Sequence, residues 1–431
     1  MTFSRRWIFG LLLNLLLVAV SLSLFMPQAS HVAGALMIGG AVVGITMSSA
    51  PVRWVSIILV GAGGTAYYVA LVRGYSFDPL EMLSVNQTLI GMITAVSFLQ
   101  LIVRQGNLVQ PRLSGRAAVW RTTGLVHLLG SVINITVVSS AADHLRGRKR
   151  LNITDALLVS RAFSTGSFWS PFWAASAAAL IYAPEAELQI IFVCGAALAG
   201  VAIAFSSESS ARRMGTRLAE YQGYALNRQL LEVPVAMVAL IVLLHFLAPE
   251  VPVAKLVLVC SLAVTAAVLC CRGYREGYRK IREHAARQVP KHHGELTLFA
   301  SAGLLAVGFE ALLSVTPMLL PVEGFGAFEA WLCIVVMAGL SLVGVHPVVS
   351  MAALAALVAQ LDPDPTLFAM AAMVGWGCSI SVGPLSGLLI HLSGRYGIDT
   401  LTVVRGNLPY LGFVICMAYP ALLLCQAFAQ T

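Results

Sequence analysis

The sequence predicts an all-α polytopic membrane protein with about 11 transmembrane helices, two re-entrant hairpins and inverted-topology repeats. Three observations predict it. The chain is 58% hydrophobic and 11% charged, with a mean hydropathy of +0.85, too little charge to cover the surface of a water-soluble domain of 431 residues. Apolar runs of about 20 residues, enough to span a bilayer core, recur along the whole chain. Lys and Arg collect in alternate loops, as they do on the cytoplasmic side of membrane proteins, and that alternation fails in two places unless the chain turns back inside the membrane.

The net charge of +8 and pI near 9.2 follow from those basic loops. No nucleic-acid motif accompanies them, so no nucleic-acid partner is expected. The eight cysteines lie in or beside apolar spans at no metal spacing and read as small core residues. Neither a cofactor nor a resident metal is expected.

Taken in order, Arg5 and Arg6 place the N-terminus inside, and 7–26 reads as an uncleaved first helix leading out. Residues 31–48 return to Arg53, 54–72 lead out to Asp78 and Glu81, and 86–103 return to Arg104, Arg112 and Arg116. The stretch 117–145 then starts inside and ends at Arg146, Arg148, Lys149 and Arg150. One crossing would put that cluster outside, and two need roughly 40 residues at 1.5 Å rise. A re-entrant hairpin with its tip at Gly130–Asn134 satisfies both limits, and irregular backbone at that depth must lie against protein or a wet cavity. The next span, 153–183, is interrupted by Ser164-Thr165-Gly166-Ser167 and Ser170-Pro171 and reads as a broken helix. Residues 188–205 return to a basic amphipathic stretch with Arg212, Arg213, Arg217 and Arg228.

A helical pair, 230–248 and 252–271, ends in a second basic cytoplasmic loop, and 296–314 lead out. No Lys or Arg occurs between Lys291 and Arg395, and acids flank 327–361: Glu323 and Glu329 before, Asp362 and Asp364 after. This is the outside counterpart of the first hairpin, with its tip near Val343–Pro347. A second broken helix, 366–394, carries Gly375, Gly377, Ser379, Ser381, Gly383 and Pro384, and a last helix at 400–427 leaves the C-terminus outside.

The two halves correspond. Residues 137–142 read VVSSAA and 348–353 read VVSMAA, while Ser170-Pro171 pairs with Gly383-Pro384 at nearly the same offset. The expected organisation is an extra N-terminal helix (1–30), a first repeat (31–206), a cytoplasmic linker (207–229) and a second repeat (230–431). The repeats have opposite orientation. Inverted repeats with discontinuous helices point to a secondary transporter, because each break leaves backbone N–H and C=O groups that anions or Na⁺ can satisfy.

This arrangement resembles the ion transporter superfamily, which includes divalent anion/sodium symporters, citrate carriers and arsenite permeases. The resemblance is architectural and covers nearly the whole chain. It implies secondary active transport of a small anionic or polar solute across the bacterial inner membrane, coupled to H⁺ or Na⁺. It also implies an elevator-like motion of the hairpin and broken-helix unit against a scaffold that forms a homodimer. The sodium-coupled branch carries Ser-Asn-Thr at both hairpin tips, where Na⁺ is held. Here the first tip has Asn134-Ile135-Thr136, with Asn134 matching the Asn of that motif, and the second has His346-Pro347.

The candidate solute or ion ligands are Ser131, Asn134, Thr136 and Ser139 in the first hairpin and His346 and Ser350 in the second. The breaks add Ser164, Thr165, Gly166, Ser167 and Ser170, then Gly377, Ser379, Ser381 and Gly383. His346, Glu310 and Arg161 are the coupling candidates, since an ionisable residue within a span marks function by default. Each has a plainer role to weigh: Asn134 and His346 as helix caps, the serines as small packing residues, and Arg161 as a cation snorkelling to the inner surface. No Walker motif is present, so ATP drive in this chain is not expected. Two rival classes are a flippase or export component for a lipid-linked envelope molecule, and a membrane-embedded acyltransferase using His127, His144 or His346. The acyltransferase lacks any HExxH or GxSxG motif.

Overall fold

The computed structural model describes residues 4–76, 86–102, 113–133, 135–147, 150–224, 228–316 and 324–430, except the side chains of 228–230. The described residues form helices and connecting turns, with no strand among them. Among the described residues, seven helical stretches are long and apolar enough to cross a membrane, and four shorter apolar helices accompany them. The chain is therefore a multi-pass membrane protein.

By Cα packing the chain divides into two units. Unit 1 comprises Met1–Ile102, Met237–Gly324 and Ala352–Asp362; unit 2 comprises Val103–Ala236, Phe325–Met351 and Pro363–Thr431. Each unit takes one portion from 31–206 and one from 230–431.

Unit 1 is built on α1 (Arg5–Leu22), α2 (Ala29–Met47), α3 (Ala50–Val72) and α4 (Gln87–Ser97, continued by a 3-10 turn at Phe98–Leu101). The closest packing here is between α3 and a later helix, α12 (His293–Val315). Small residues make that approach possible: a Cβ on Gly308 would fall 2.0 Å from the Gly63 carbonyl oxygen, and one on Gly63 would fall 2.5 Å from the Leu304 oxygen. Asn86 fixes the start of α4 by donating to the Phe299 carbonyl, 2.8 Å away.

Unit 2 begins with α5 (Gly115–Ile133), α6 (Thr136–Arg146) and α7 (Ile153–Ser164), which runs into a 3-10 turn at Thr165–Phe168. Helix resumes in α8 (Ala174–Tyr182) and α9 (Leu188–Met214), the latter continued by a 3-10 turn to Glu220. The expected linker over 207–229 is thus helical as far as Glu220. Next comes α10 (Arg228–Leu247), which carries the chain from unit 2 into unit 1. In unit 1, α11 (Val253–Arg287) is helical well beyond the expected end at 271. It leaves helical geometry only at Gly273 (φ 140°, ψ 109°), so much of the second basic loop is a helix. Its run of Arg, Glu, Lys and Ala favours that outcome.

The remaining elements are α13 (Ala327–Leu342), α14 (Pro347–Val358), α15 (Pro365–Val382), α16 (Gly387–Tyr396) and α17 (Thr400–Ala429). In the region of the second predicted hairpin, α13 packs along α15 and α17. Gly375 explains the fit against α15, since a Cβ there would fall 2.6 Å from Met337 Sδ. Two real breaks remain. The first is Trp169–Trp173, where Trp169 leaves helical geometry (φ −141°) and Pro171 has no N–H to donate. The second is Gly383–Ser386, between α15 and α16.

Gly375, Gly377, Ser379 and Ser381 do not interrupt their helix, because α15 runs unbroken to Val382. Likewise Ser164–Ser167 continue α7 through its 3-10 turn. Small residues in membrane helices serve close packing as readily as they serve breaks.

Candidate functional site

In unit 2 the two broken helices cross. The Ser167 hydroxyl donates to the Met373 carbonyl (3.2 Å) and to Ser164 O (2.9 Å). At Gly377 a Cβ would lie 2.3 Å from Ser167 Oγ and 2.7 Å from Ser164 O, so only glycine allows the crossing.

Each break meets the helix that leads to a predicted hairpin tip. In the first, His127 of α5 meets Thr165 Oγ1 at 2.8 Å, Ser170 donates to the Ser131 carbonyl, and the Trp173 indole donates to Gly130 O at 3.1 Å. Gly130 admits Phe163, whose ring would stand 2.8 Å from an added Cβ. In the second, Ser341 of α13 donates to the Ser379 carbonyl at 3.0 Å, and a Cβ on Gly383 would lie 2.4 Å from Ser341 Oγ. The two contacts His127–Thr165 and Ser341–Ser379 have the same sequence separation, 38 residues. Both members of the second pair follow those of the first by 214 positions (341 less 127, 379 less 165).

Side chains within the protein satisfy part of each break. Ser386 bridges the second, donating to Ile380 O (2.9 Å) and accepting from Leu389 N (3.3 Å). Ser170 accepts from Phe172 N at 3.2 Å in the first.

Behind the crossing lies a buried polar hub that joins two predicted candidates, Arg161 and Ser381, to a residue the sequence did not single out. Asn407 of α17 is fully buried. It donates to Ser381 O (2.7 Å) and Ser160 Oγ (3.3 Å), and accepts from Arg161 Nε (2.8 Å). A single Asn inside a long apolar helix was the available signal. Arg161, 5% exposed, also donates to Ser209 Oγ (3.1 Å) and to the Gly406 carbonyl, and lies over the Tyr410 ring at 5.5 Å. Among the described residues no ion pair includes Arg161. Carbonyl, amide and aromatic groups support its charge, and a buried cation held this way retains attraction for an anion.

The near end of unit 2 ties both arms of the first predicted hairpin to one strand of chain. From the first turns of α5, Arg121 Nε donates to Tyr224 O (3.1 Å) and Thr122 Oγ1 accepts from Tyr224 N (2.8 Å). From the later turns of α6, Ser140 Oγ meets the Tyr224 hydroxyl (2.9 Å) and His144 Nε2 meets Gly223 O (3.1 Å). Gly223 needs its positive φ (+64°), and a Cβ there would lie 2.2 Å from Thr122 Oγ1. Burial pushes the Tyr224 phenol above its ordinary range, so it stays neutral. Alongside, Asp143 of α6 pairs with Arg395 of α16 at 2.7 Å, Ser139 Oγ meets His391 Nε2 at 2.7 Å, and the Tyr396 hydroxyl donates to Ser139 O.

The remaining candidates fall as follows. Asn134, the predicted first-tip ligand, lies outside the described residues. Thr136 opens α6 and is half-buried. His346 precedes α14, where its Nδ1 accepts from Val348 N (3.2 Å), and its ring stands edge-on to Trp376 at 5.7 Å. The hydroxyls of Ser131, Ser164, Thr165, Ser350 and Ser381 donate to carbonyls three residues earlier in the chain. Among the described residues, Ser379 Oγ is buried without a partner. Gly166 presents its bare face to Trp173, whose Nε1 stands 2.9 Å from where a Cβ would lie. Glu310 belongs to unit 1, where it is exposed on α12. Among the described residues no group of three His, Cys, Asp or Glu is placed to hold a metal.

No family model matches the sequence, and a comparison with curated proteins gives no match. Among solved structures, the chain is similar to the Alcanivorax borkumensis YdaH transporter, whose crystal structure is described as revealing an unusual topology. The identity is 16% and the TM-score 0.46, over 86% of this chain and 97% of that one.

Proposed function

We propose that the protein is a secondary active transporter for a small anionic solute in the inner membrane, with unit 2 carrying the solute as one body against unit 1. The observation that carries this reading is the crossing of two broken helices at Ser167 and Gly377, with a contact from the preceding helix to each, His127–Thr165 and Ser341–Ser379, at the same sequence separation. Paired, repeat-related breaks are the device by which carriers build a central site and two related conformations. The interleaved division into units supports it as well: the helices preceding each predicted hairpin group in unit 1, and both broken helices with the last helix of each repeat group in unit 2.

The hairpin at 117–145 opens inside on this reading, because the first turns of α5 and the later turns of α6 share Gly223 and Tyr224. Arg161 supplies the preference for an anion. Its nearest polar neighbours are neutral, so a carboxylate or oxyanion is the group that offsets its charge. The architecture suits the ion transporter superfamily, with H⁺ or Na⁺ as the coupling ion and unit 1 as the dimerising scaffold.

The test is uptake and counterflow in proteoliposomes under imposed pH or Na⁺ gradients, over a panel of succinate, citrate, phosphate and neutral polar solutes. Saturable, gradient-driven movement of an anion supports the reading. Scrambling of lipid without movement of any soluble solute overturns it in favour of a flippase.

A further inference from the structure

The hydrogen bonds around His127 run in one direction. The Trp169 indole N–H donates to His127 Nε2 at 3.0 Å. Nε2 therefore carries a lone pair, and the ring proton sits on Nδ1, facing Thr165 Oγ1 at 2.8 Å. The Thr165 hydroxyl donates its own hydrogen bond to the Ala162 carbonyl at 2.8 Å. His127 is 6% exposed and Thr165 is fully buried, so water does not replace these partners. A second ring proton can enter only at Nε2. That turns an acceptor into a donor against the Trp169 N–H, and the two must separate. Trp169 is the first residue of the first break, so its displacement reorganises the break itself.

We propose that His127 Nε2 is a proton-binding site, and that the proton it takes up is the coupling ion, freeing Trp169 and leaving an imidazolium N–H to receive the anionic solute. The proposal rests on the transport reading above and names its coupling ion. One proton enters from water and no bond other than N–H is formed. The charged groups on the elements packed against α5 are engaged elsewhere. Asp143 pairs with Arg395 and Arg146, and Glu208 with Arg116 and the Trp120 indole. Asp155 is held by Asn152, Arg161 by Asn407, Arg121 by Gln222 O and Tyr224 O, and His144 by Gly223 O. Cys194 lies against Cys425. Arg212, Arg213, Arg217 and Glu220 sit at the far end of α9 and in its 3-10 turn. Among the described residues no carboxylate forms an ion pair with His127, whose ring meets Trp169 and Thr165.

The experiment is a tryptophan-emission titration of the full chain in detergent across about pH 4 to 8, comparing wild type with Trp169→Phe and His127→Gln. The Gln side chain keeps an acceptor for Trp169 but takes no proton. An imidazolium quenches an adjacent indole, so the Trp169 component should lose intensity as pH falls, and that loss should vanish in both variants. A Trp169 component that is flat with pH, or that still titrates in His127→Gln, overturns the proposal. If His127→Gln does not fold, Thr165→Val decides: it removes the acceptor for Nδ1–H and should move the midpoint to lower pH, whereas an unmoved midpoint counts against the site. A second arm uses liposomes loaded with a pH dye and challenged with succinate, citrate or phosphate. Proton entry accompanying the anion in wild type and lost in His127→Gln supports the coupling role; proton entry retained in that variant refutes it. If no anion moves in wild type, the transport reading fails while the emission titration still decides whether His127 binds the proton.

Discussion

Ser167 Oγ occupies the space that a side chain at Gly377 would need, 2.3 Å from the Cβ position. This contact sets how closely the two broken helices cross. Gly377→Ala should therefore cost about 1–3 kcal/mol, the usual range for overpacking. Adding Ser167→Ala should recover only part of it, because Ser164 O also stands 2.7 Å away and is backbone. Thermal unfolding in detergent measures both; a Gly377→Ala protein as stable as wild type would mean the helices are not held at this distance.

Arg161 and Asn407 form the second test. Arg161→Gln removes the cation and keeps a donor for Asn407 Oδ1. It should fold and should lower anion transport at least tenfold while leaving expression intact. Asn407→Ala leaves the Arg161 Nε–H and the Ser381 carbonyl short of a partner and should cost about 1–3 kcal/mol. Transport and melting curves of the two variants separate charge from scaffolding.

The Asp143–Arg395 pair links α6 to α16 and is partly exposed, so its own contribution to stability is small, about 0.2–1 kcal/mol. Its predicted importance is kinetic. Either Asp143→Arg or Arg395→Asp should alter the transport rate, and the double charge swap should restore it; salt should weaken the effect of both. A swap no better than the single variants removes the pair from the mechanism.

Asp399 caps α17, where hydrogen bonds from the Thr402 hydroxyl and amide hold its carboxyl below the usual carboxylate range. A depressed folded value means the cap contributes fully above the unfolded value, about 3.9, and is lost as pH falls through the lower, folded one. The melting-temperature gap between wild type and Asp399→Ala should thus be constant from about pH 7 to 5 and close only near or below pH 3.9. A gap that closes by pH 5 would contradict the cap.

Apolar length and Pro171 or Pro384 made the spans and both breaks legible, since a missing N–H acts locally. Glycine and serine did not reveal their use. Gly375 and Gly377 resembled breaks but sit mid-helix as packing faces, a choice made by partners 38 and more than 200 residues away, Met337 and Ser167. Asn407 escaped for the same reason, and His127 was weighed only as a base for acyl transfer: the partners that give each its setting, Arg161 for one and Trp169 and Thr165 for the other, are distant in the chain. Glu310, picked out because it lies deep in its span, is turned by helical phase to the exposed face of α12, which the span alone does not reveal. The helix from Tyr274 to Arg287 was masked by charge that reads equally well as a loop.

The most direct test of the account is the sidedness of the chain at 116 and 145. Single cysteines at Arg116 and Leu145, placed one at a time in a chain cleared of its eight native cysteines, are labelled in intact cells with an impermeant thiol reagent, before and after permeabilisation. The account predicts that both label only after permeabilisation, because α5 and α6 leave and return to the same face. Labelling of one from outside and the other from inside would contradict it.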